Sequence, residues 1–202
     1  MRRLLSLGAL LLLVAGCAVN APYADDAAIA AVAYRDPGPA KLTLYTVINN
    51  RTGAGGHSGL LINASQRVMF DPAGSFYADI VPERNDVLFG ITPAVERAYR
   101  GAHARSTYHV LIQTIEVTPE QAEIALRAAL ANGAEPAGFC TIGTSGVLRQ
   151  VPGFESIKST FFPTKLADQL ATFPGVVTER YYEDDADDLQ LALAKGNAAL
   201  SQ

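Results

Sequence analysis

Two runs of alternating residues, separated by a glycine-rich break, constrain this chain more than any other feature. Lys41 to Asn49 (KLTLYTVIN) sets branched and aromatic residues in alternation, as a strand does, and His57 to Ile62 (HSGLLI) has the same character. Asn50 to Gly56 (NRTGAGG) between them is a flexible loop. Asn63 to Gln66 is a turn and Arg67 to Phe70 (RVMF) a third strand, so the second and third strands form a hairpin. Asp71-Pro72-Ala73-Gly74 ends it.

Further along, Tyr108 to Val117 (YHVLIQTIEV) is the longest strand, and Thr118-Pro119-Glu120-Gln121 starts a helix. Thr118 caps, Pro119 suits the first helical position, and Gln121 stands three residues after the cap. That helix is expected to reach about Ala131, with Ala122, Ala125, Leu126 and Ala129 on one face, and Gly133 stops it. Shorter helices are expected over Pro93 to Tyr99, over residues 139 to 150 and over Pro163 to Leu170, with a closing strand from Val176 to Tyr182. The tail from Glu183 is an acidic run leading into an Ala/Leu-rich helix. Strands first, helices after them and a strand last predict an α+β domain over residues 41 to 182.

The amino terminus is of another kind. Met1-Arg2-Arg3, an apolar run from Leu4 to Val14, and Val14-Ala15-Gly16-Cys17 have the form of a bacterial lipoprotein signal peptide covering residues 1 to 16. The resemblance implies cleavage before Cys17 and acylation of Cys17, whose chains then hold residues 17 to 40, rich in Ala, Asp and Pro, as a tether on a membrane surface. Ala18, where aspartate would retain the protein at the inner membrane, favours the outer membrane of the cell envelope, facing the periplasm. The chain has 16 basic and 20 acidic residues, and Arg2 and Arg3 leave with the signal. No basic stripe remains to neutralise phosphates, which excludes nucleic acid as a partner.

With Cys17 acylated, Cys140 is the one free thiol in an oxidising compartment. It opens a helical stretch after the Gly133 to Gly138 connection, where the helix dipole lowers a thiol pKa. His57 stands where the glycine loop becomes a strand, and the hairpin returns to Asp71, so the two can lie side by side. Cross-strand Cβ atoms are about 5 Å apart, close enough for a carboxylate to orient an imidazole. Cys140, His57 and Asp71 are thus the parts of a thiol-nucleophile triad. A buried apolar Cys140, with His57 and Asp71 as ordinary loop and turn residues, is the bland alternative. Two other chemistries fit less well. Gly56-His57-Ser58-Gly59-Leu60 has Leu60 at the second glycine of a nucleophile elbow, which argues against Ser58. A zinc site from His57, His103, His109 and Cys140 lacks ligand spacing, so no metal or cofactor is expected.

The order of these elements, from the His-Ser-Gly strand and hairpin through Asp71 and the Thr-Pro-Glu-Gln helix to Cys140, a Pro-led helix and a last strand, resembles the circularly permuted papain-like group of the NlpC/P60 superfamily, which includes lecithin:retinol acyltransferase-like enzymes. His57 precedes Cys140, the permuted order, although Phe139 stands where many members have asparagine. The resemblance implies a papain-like antiparallel sheet packed against helices. It implies Cys140 as nucleophile, His57 as general base and Asp71 as orienting residue. The activity expected from it is a membrane-tethered thiol hydrolase cutting amide bonds, first of all in peptidoglycan peptides. A lipid acyl hydrolase or acyltransferase, or a non-catalytic envelope-binding lipoprotein, are the alternatives.

Overall fold

The structure, a computed structural model, describes residues 22–202; the expected signal segment and Cys17 lie outside the described residues. Among the described residues a mixed α+β fold is built on one antiparallel sheet of seven strands in the order β4-β5-β3-β2-β1-β6-β7. In chain order the elements are α1 (Asp26–Ala31), β1 (Lys41–Asn49), β2 (Gly55–Asn63), β3 (Arg67–Phe70), β4 (Glu83–Arg84), β5 (Val87–Leu88), α2 (Pro93–His103), β6 (Tyr108–Glu116), α3 (Pro119–Asn132), α4 (Cys140–Leu148), α5 (Pro163–Leu170), β7 (Val177–Tyr181) and α6 (Leu189–Leu200). No helix among the described residues is long and apolar enough to cross a membrane.

Helices cover both faces of the sheet. Leu42, Leu44, Leu60, Ile62, Val68 and Phe70 point to one side, where Ala125, Ala129, Val147, Leu148, Leu166 and Leu170 of α3, α4 and α5 meet them. Tyr45, Leu61, Met69, Val110 and Ile112 point to the other, against Val95, Tyr99 and Ala102 of α2 and Leu193 of α6. Strand alternation thus sorts side chains between two cores instead of between core and water. This is why β1 is buried without interruption from Leu42 to Val47.

Helix starts follow the sequence closely. Thr118 and Gln121 make a complete capping box at α3, and Thr92 caps α2 by accepting from the Val95 N–H at 3.3 Å. Residues 22–40, read as a tether, hold α1, whose cap is Asp25, and they lie against the sheet margin. There the Ala24 N–H donates to the Glu83 carbonyl at 2.8 Å and the Arg67 N–H to the Tyr34 carbonyl at 2.7 Å.

One buried polar knot fixes α2 to the strands. Glu96 accepts from Arg67 at one carboxylate oxygen and from Tyr45 and Arg100 at the other, each at 2.5 Å, while Arg67, only 3% exposed, also donates to the Ile91 carbonyl at 2.7 Å. Removing Glu96 would strand a buried guanidinium. Glu96→Ala is expected to cost about 3–5 kcal/mol in denaturant unfolding. Asp26→Ala, at an ion pair with Arg84 whose carboxylate side is 95% exposed, is expected to cost at most about 1 kcal/mol in the same assay.

Candidate functional site

β1 and β2 lose register between Val47 and Ile48, where Val47 faces His57 but Ile48 faces Gly55. The extra residue is Gly56, so a bulge immediately precedes His57 and sets the direction of its side chain at the end of the strand. The hairpin then places Asp71 diagonally from His57, because Leu60 pairs with Phe70 and the register puts Asp71 beyond it, beside Gly59. The missing side chain of Gly59 is what lets them meet. A Cβ there would stand 2.5 Å from the Tyr99 hydroxyl and 3.2 Å from Asp71 Oδ1.

Into that gap His57 Nε2 donates to Asp71 Oδ1 at 2.7 Å, and the Tyr99 hydroxyl donates to the same oxygen at 2.6 Å. One turn further along α2, His103 stacks on His57 with ring centroids 5.5 Å apart and planes 11° from parallel. His103 Nδ1–H donates to the Tyr99 carbonyl at 2.8 Å, which fixes the tautomer and leaves Nε2 as its lone-pair nitrogen. Ligating atoms of His57, Asp71 and His103 all lie within 4.8 Å of one another.

The thiol is not a member of this cluster, and the expectation of a Cys–His–Asp triad is corrected accordingly: the third group beside His57 and Asp71 is the His103 imidazole. The physical reason is the layering. His103 and Tyr99 come from α2 on one face of the sheet, whereas Cys140 is the first residue of α4, which packs on the other. The readings built on the triad, a thiol protease or hydrolase of peptidoglycan peptides or lipid acyl groups, are set aside with it. Cys140 itself is 8% exposed, next to Thr141 Oγ1 at 3.7 Å, and meets the edge of the cluster at His57.

The electrostatics follow from this placement. Burial would push the His57 imidazole down, but the charge and hydrogen bond of Asp71 override it and raise its pKa to about 10. Burial would raise the Asp71 carboxyl, and His57 holds it below the usual range instead. His103 goes the other way: burial, with repulsion from His57, lowers it to about 4 despite Asp71. Burial pushes the Cys140 thiol up, and the hydrogen bond and charge of His57 bring it down to about 7.

The remaining candidates are structural. Ser58 is fully buried and donates to Thr141 at 3.1 Å, tying β2 to α4. His109 lies across the sheet, bonded to Asn50 at 2.7 Å and stacked on Tyr182. Tyr99 and His103 were not given a role in this cluster by the sequence. The i, i+4 spacing of the two on one helix is the signal in the sequence, and it becomes visible only where α2 runs on past Tyr99 to His103. Compared with family models, with curated proteins and with solved structures, the chain matches none of them.

Three outcomes are expected. Gly59→Ala should displace the Tyr99 hydroxyl from Asp71 and raise the Asp71 carboxyl, which that hydrogen bond helps hold down, as read by NMR titration. Cys140 should react with iodoacetamide with an apparent pKa near 7, moving up toward 9 in His57→Ala. Three groups around the site each add a separate part to the pH dependence of stability. His103, depressed in the fold, removes stability as pH falls from 6.5 to 4; His57, raised in the fold, removes it as pH rises from 6.5 to 10; Cys140, depressed, adds it between 7 and 9. Thermal unfolding should therefore show a shallower loss between pH 6.5 and 4 in His103→Gln, with the carboxylate part of the acid limb retained, and an alkaline limb that steepens between pH 7 and 9 in Cys140→Ser.

Proposed function

We propose that this chain is a lipid-anchored protein of the bacterial envelope, held through acylated Cys17 at the periplasmic side of the outer membrane. Its folded part is a circularly permuted papain-like domain. The site is the His57–Asp71–His103 cluster, which binds a small ligand carrying an anionic oxygen and exchanges a proton with it. The Ala-Gly-Cys ending of the signal segment supports the anchor. The order of the His57 strand, hairpin, Asp71, long β6, capped α3 and Cys140 at the start of α4 supports the fold reading.

The observation that carries the chemical reading is the pair of stacked imidazoles around one buried carboxylate, only one of them paired with it. Two like groups whose surroundings push their pKa values apart are an acid and a base. His57, with Asp71 on Nε2, keeps its proton at neutral pH and is the donor; His103, uncharged, with Nδ1–H committed to a backbone carbonyl, is the acceptor. Asp71 and Tyr99 position the donor. Both rings border a cleft of about 250 Å³ whose other lining includes Arg105, Tyr108, Gly74 and Ser75. Arg105, braced by Asp187 at 3.0 Å, adds positive charge, and no carboxylate is among the described side chains lining the cleft. An anionic oxygen is the complement of such a lining.

Inorganic phosphate and acetate are suitable probes, followed through the imidazole NMR resonances. The expected result is saturable movement of the His57 and His103 signals, lost in His57→Gln, with the two rings titrating far apart. Rings that titrate together near 6.5, or that neither probe moves, would overturn the proposal.

A further inference from the structure

Most large apolar side chains of this domain lie in its two cores, but three phenylalanines gather in the open at one place. Phe139, Phe161 and Phe162 are 39%, 54% and 67% exposed. Phe139 and Phe161 meet edge to face with ring centroids 5.2 Å apart. Their backbone positions are set by two helix starts. Phe139 is the N-cap of α4 and Phe162 the N-cap of α5. The next residue, Pro163, is buried so closely on the start of β2 that a Cβ on Gly55 would stand 2.7 Å from its own. The rings therefore stand at the end of the sheet that carries His57.

We infer that this patch is a membrane-docking surface, in which Phe139, Phe161 and Phe162 enter the headgroup and acyl boundary of an anionic bilayer while Lys158 and Lys165 stay at headgroup level. A cluster of exposed aromatic rings on a soluble domain marks an interaction site. The charges around it select the occupant. The chain as a whole is acidic, at −4, yet the two charged residues nearest in sequence on either side of Phe161-Phe162 are Lys158 and Lys165. Both are exposed, and among the described residues neither has a carboxylate within 4.0 Å. Of the nearby acids, Glu155, exposed, accepts the Gly153 N–H at 2.9 Å, and Asp168 on α5 is exposed as well. A second copy seated on the patch by a two-fold axis would bring like lysines toward each other, whereas an anionic lipid surface neutralises both. This contact is separate from the acyl chains expected at Cys17 and supplies the second signal that stable, oriented membrane binding requires.

The chain has no tryptophan, so one substitution makes a local reporter. The full chain carrying Phe162→Trp, and a second carrying Phe161→Trp, would be mixed with vesicles of phosphatidylcholine with or without phosphatidylglycerol, using brominated acyl chains as quenchers. A control chain carries Leu191→Trp on α6, on the opposite face of the sheet, where Leu191 is 59% exposed. The expected result is a blue shift and quenching of both patch reporters on anionic vesicles, with the α6 reporter unmoved. Lys158→Gln and Lys165→Gln should each weaken that partitioning roughly fivefold. Unquenched patch reporters, equal quenching on neutral vesicles, or a blue shift that grows with protein concentration in the absence of lipid, which would assign the patch to a second copy, would each overturn the inference.

Discussion

A carboxylate taken out of water costs several kcal/mol unless opposite charge and hydrogen bonds replace its hydration, and Asp71, 4% exposed, imposes that requirement on everything around it. Its Oδ1 is met by a charged imidazole from β2 and a hydroxyl from α2. Its other oxygen lies so close to Gly74 that a Cβ there would fall 1.8 Å from it. Three backbone features follow from this one burial: the bulge at Gly56, the bare position at Gly59, and the tight Asp71-Pro72-Ala73-Gly74 turn, in which the Gly74 N–H donates to the Asp71 carbonyl at 2.9 Å. The Glu96 knot belongs to the same requirement at longer range, since it holds α2 where Tyr99 can reach the carboxylate.

Much of this was legible in the residues. The alternating run Lys41 to Asn49 is β1 to the residue, Arg67 to Phe70 is β3, the capping box locates α3, and the hairpin brings His57 to Asp71. Local chemistry dominates at such places: a cap, a turn or a proline fixes the backbone regardless of tertiary context. The geometry of the contact was not legible. A direct cross-strand pair was expected, and the structure has a diagonal one over Gly59, because the register of a bulged hairpin depends on which glycine is extruded.

Other features escaped for a different reason. α2 continues one turn past Tyr99 through Arg100-Gly101-Ala102-His103, a stretch with a glycine and little apolar periodicity, and it is held by packing on the sheet. β4 and β5 have two residues each, too few for any period to register. α1 is six residues with no buried side chain, and the residues flanking it hold it by hydrogen bonds to the sheet margin. Tertiary contact supplies what local propensity lacks in each. The displacement of the thiol from the expected triad is of this kind too. Residue order shows which groups can approach one strand end but not from which face of the sheet each arrives.

That difference of face gives His57 its particular position. It stands at the end of a central strand, with a carboxylate and a second imidazole on the α2 side and a thiol on the α4 side, and its one extra proton is common to all of them. A proton leaving His57 removes the charge that keeps Asp71 ionised below the usual range, removes the repulsion that helps keep His103 neutral, and withdraws the hydrogen bond that lowers Cys140. These groups titrate as one system, and the apparent pKa values belong to the cluster more than to its members. Substitution of Cys140 should therefore act on His57 from across the sheet. His103, neutral where His57 titrates, leaves its charge alone, whereas losing the thiol takes away a partner that favours that charge. The cluster responds to events on either face through a single ring, which the burial of Asp71 holds in place.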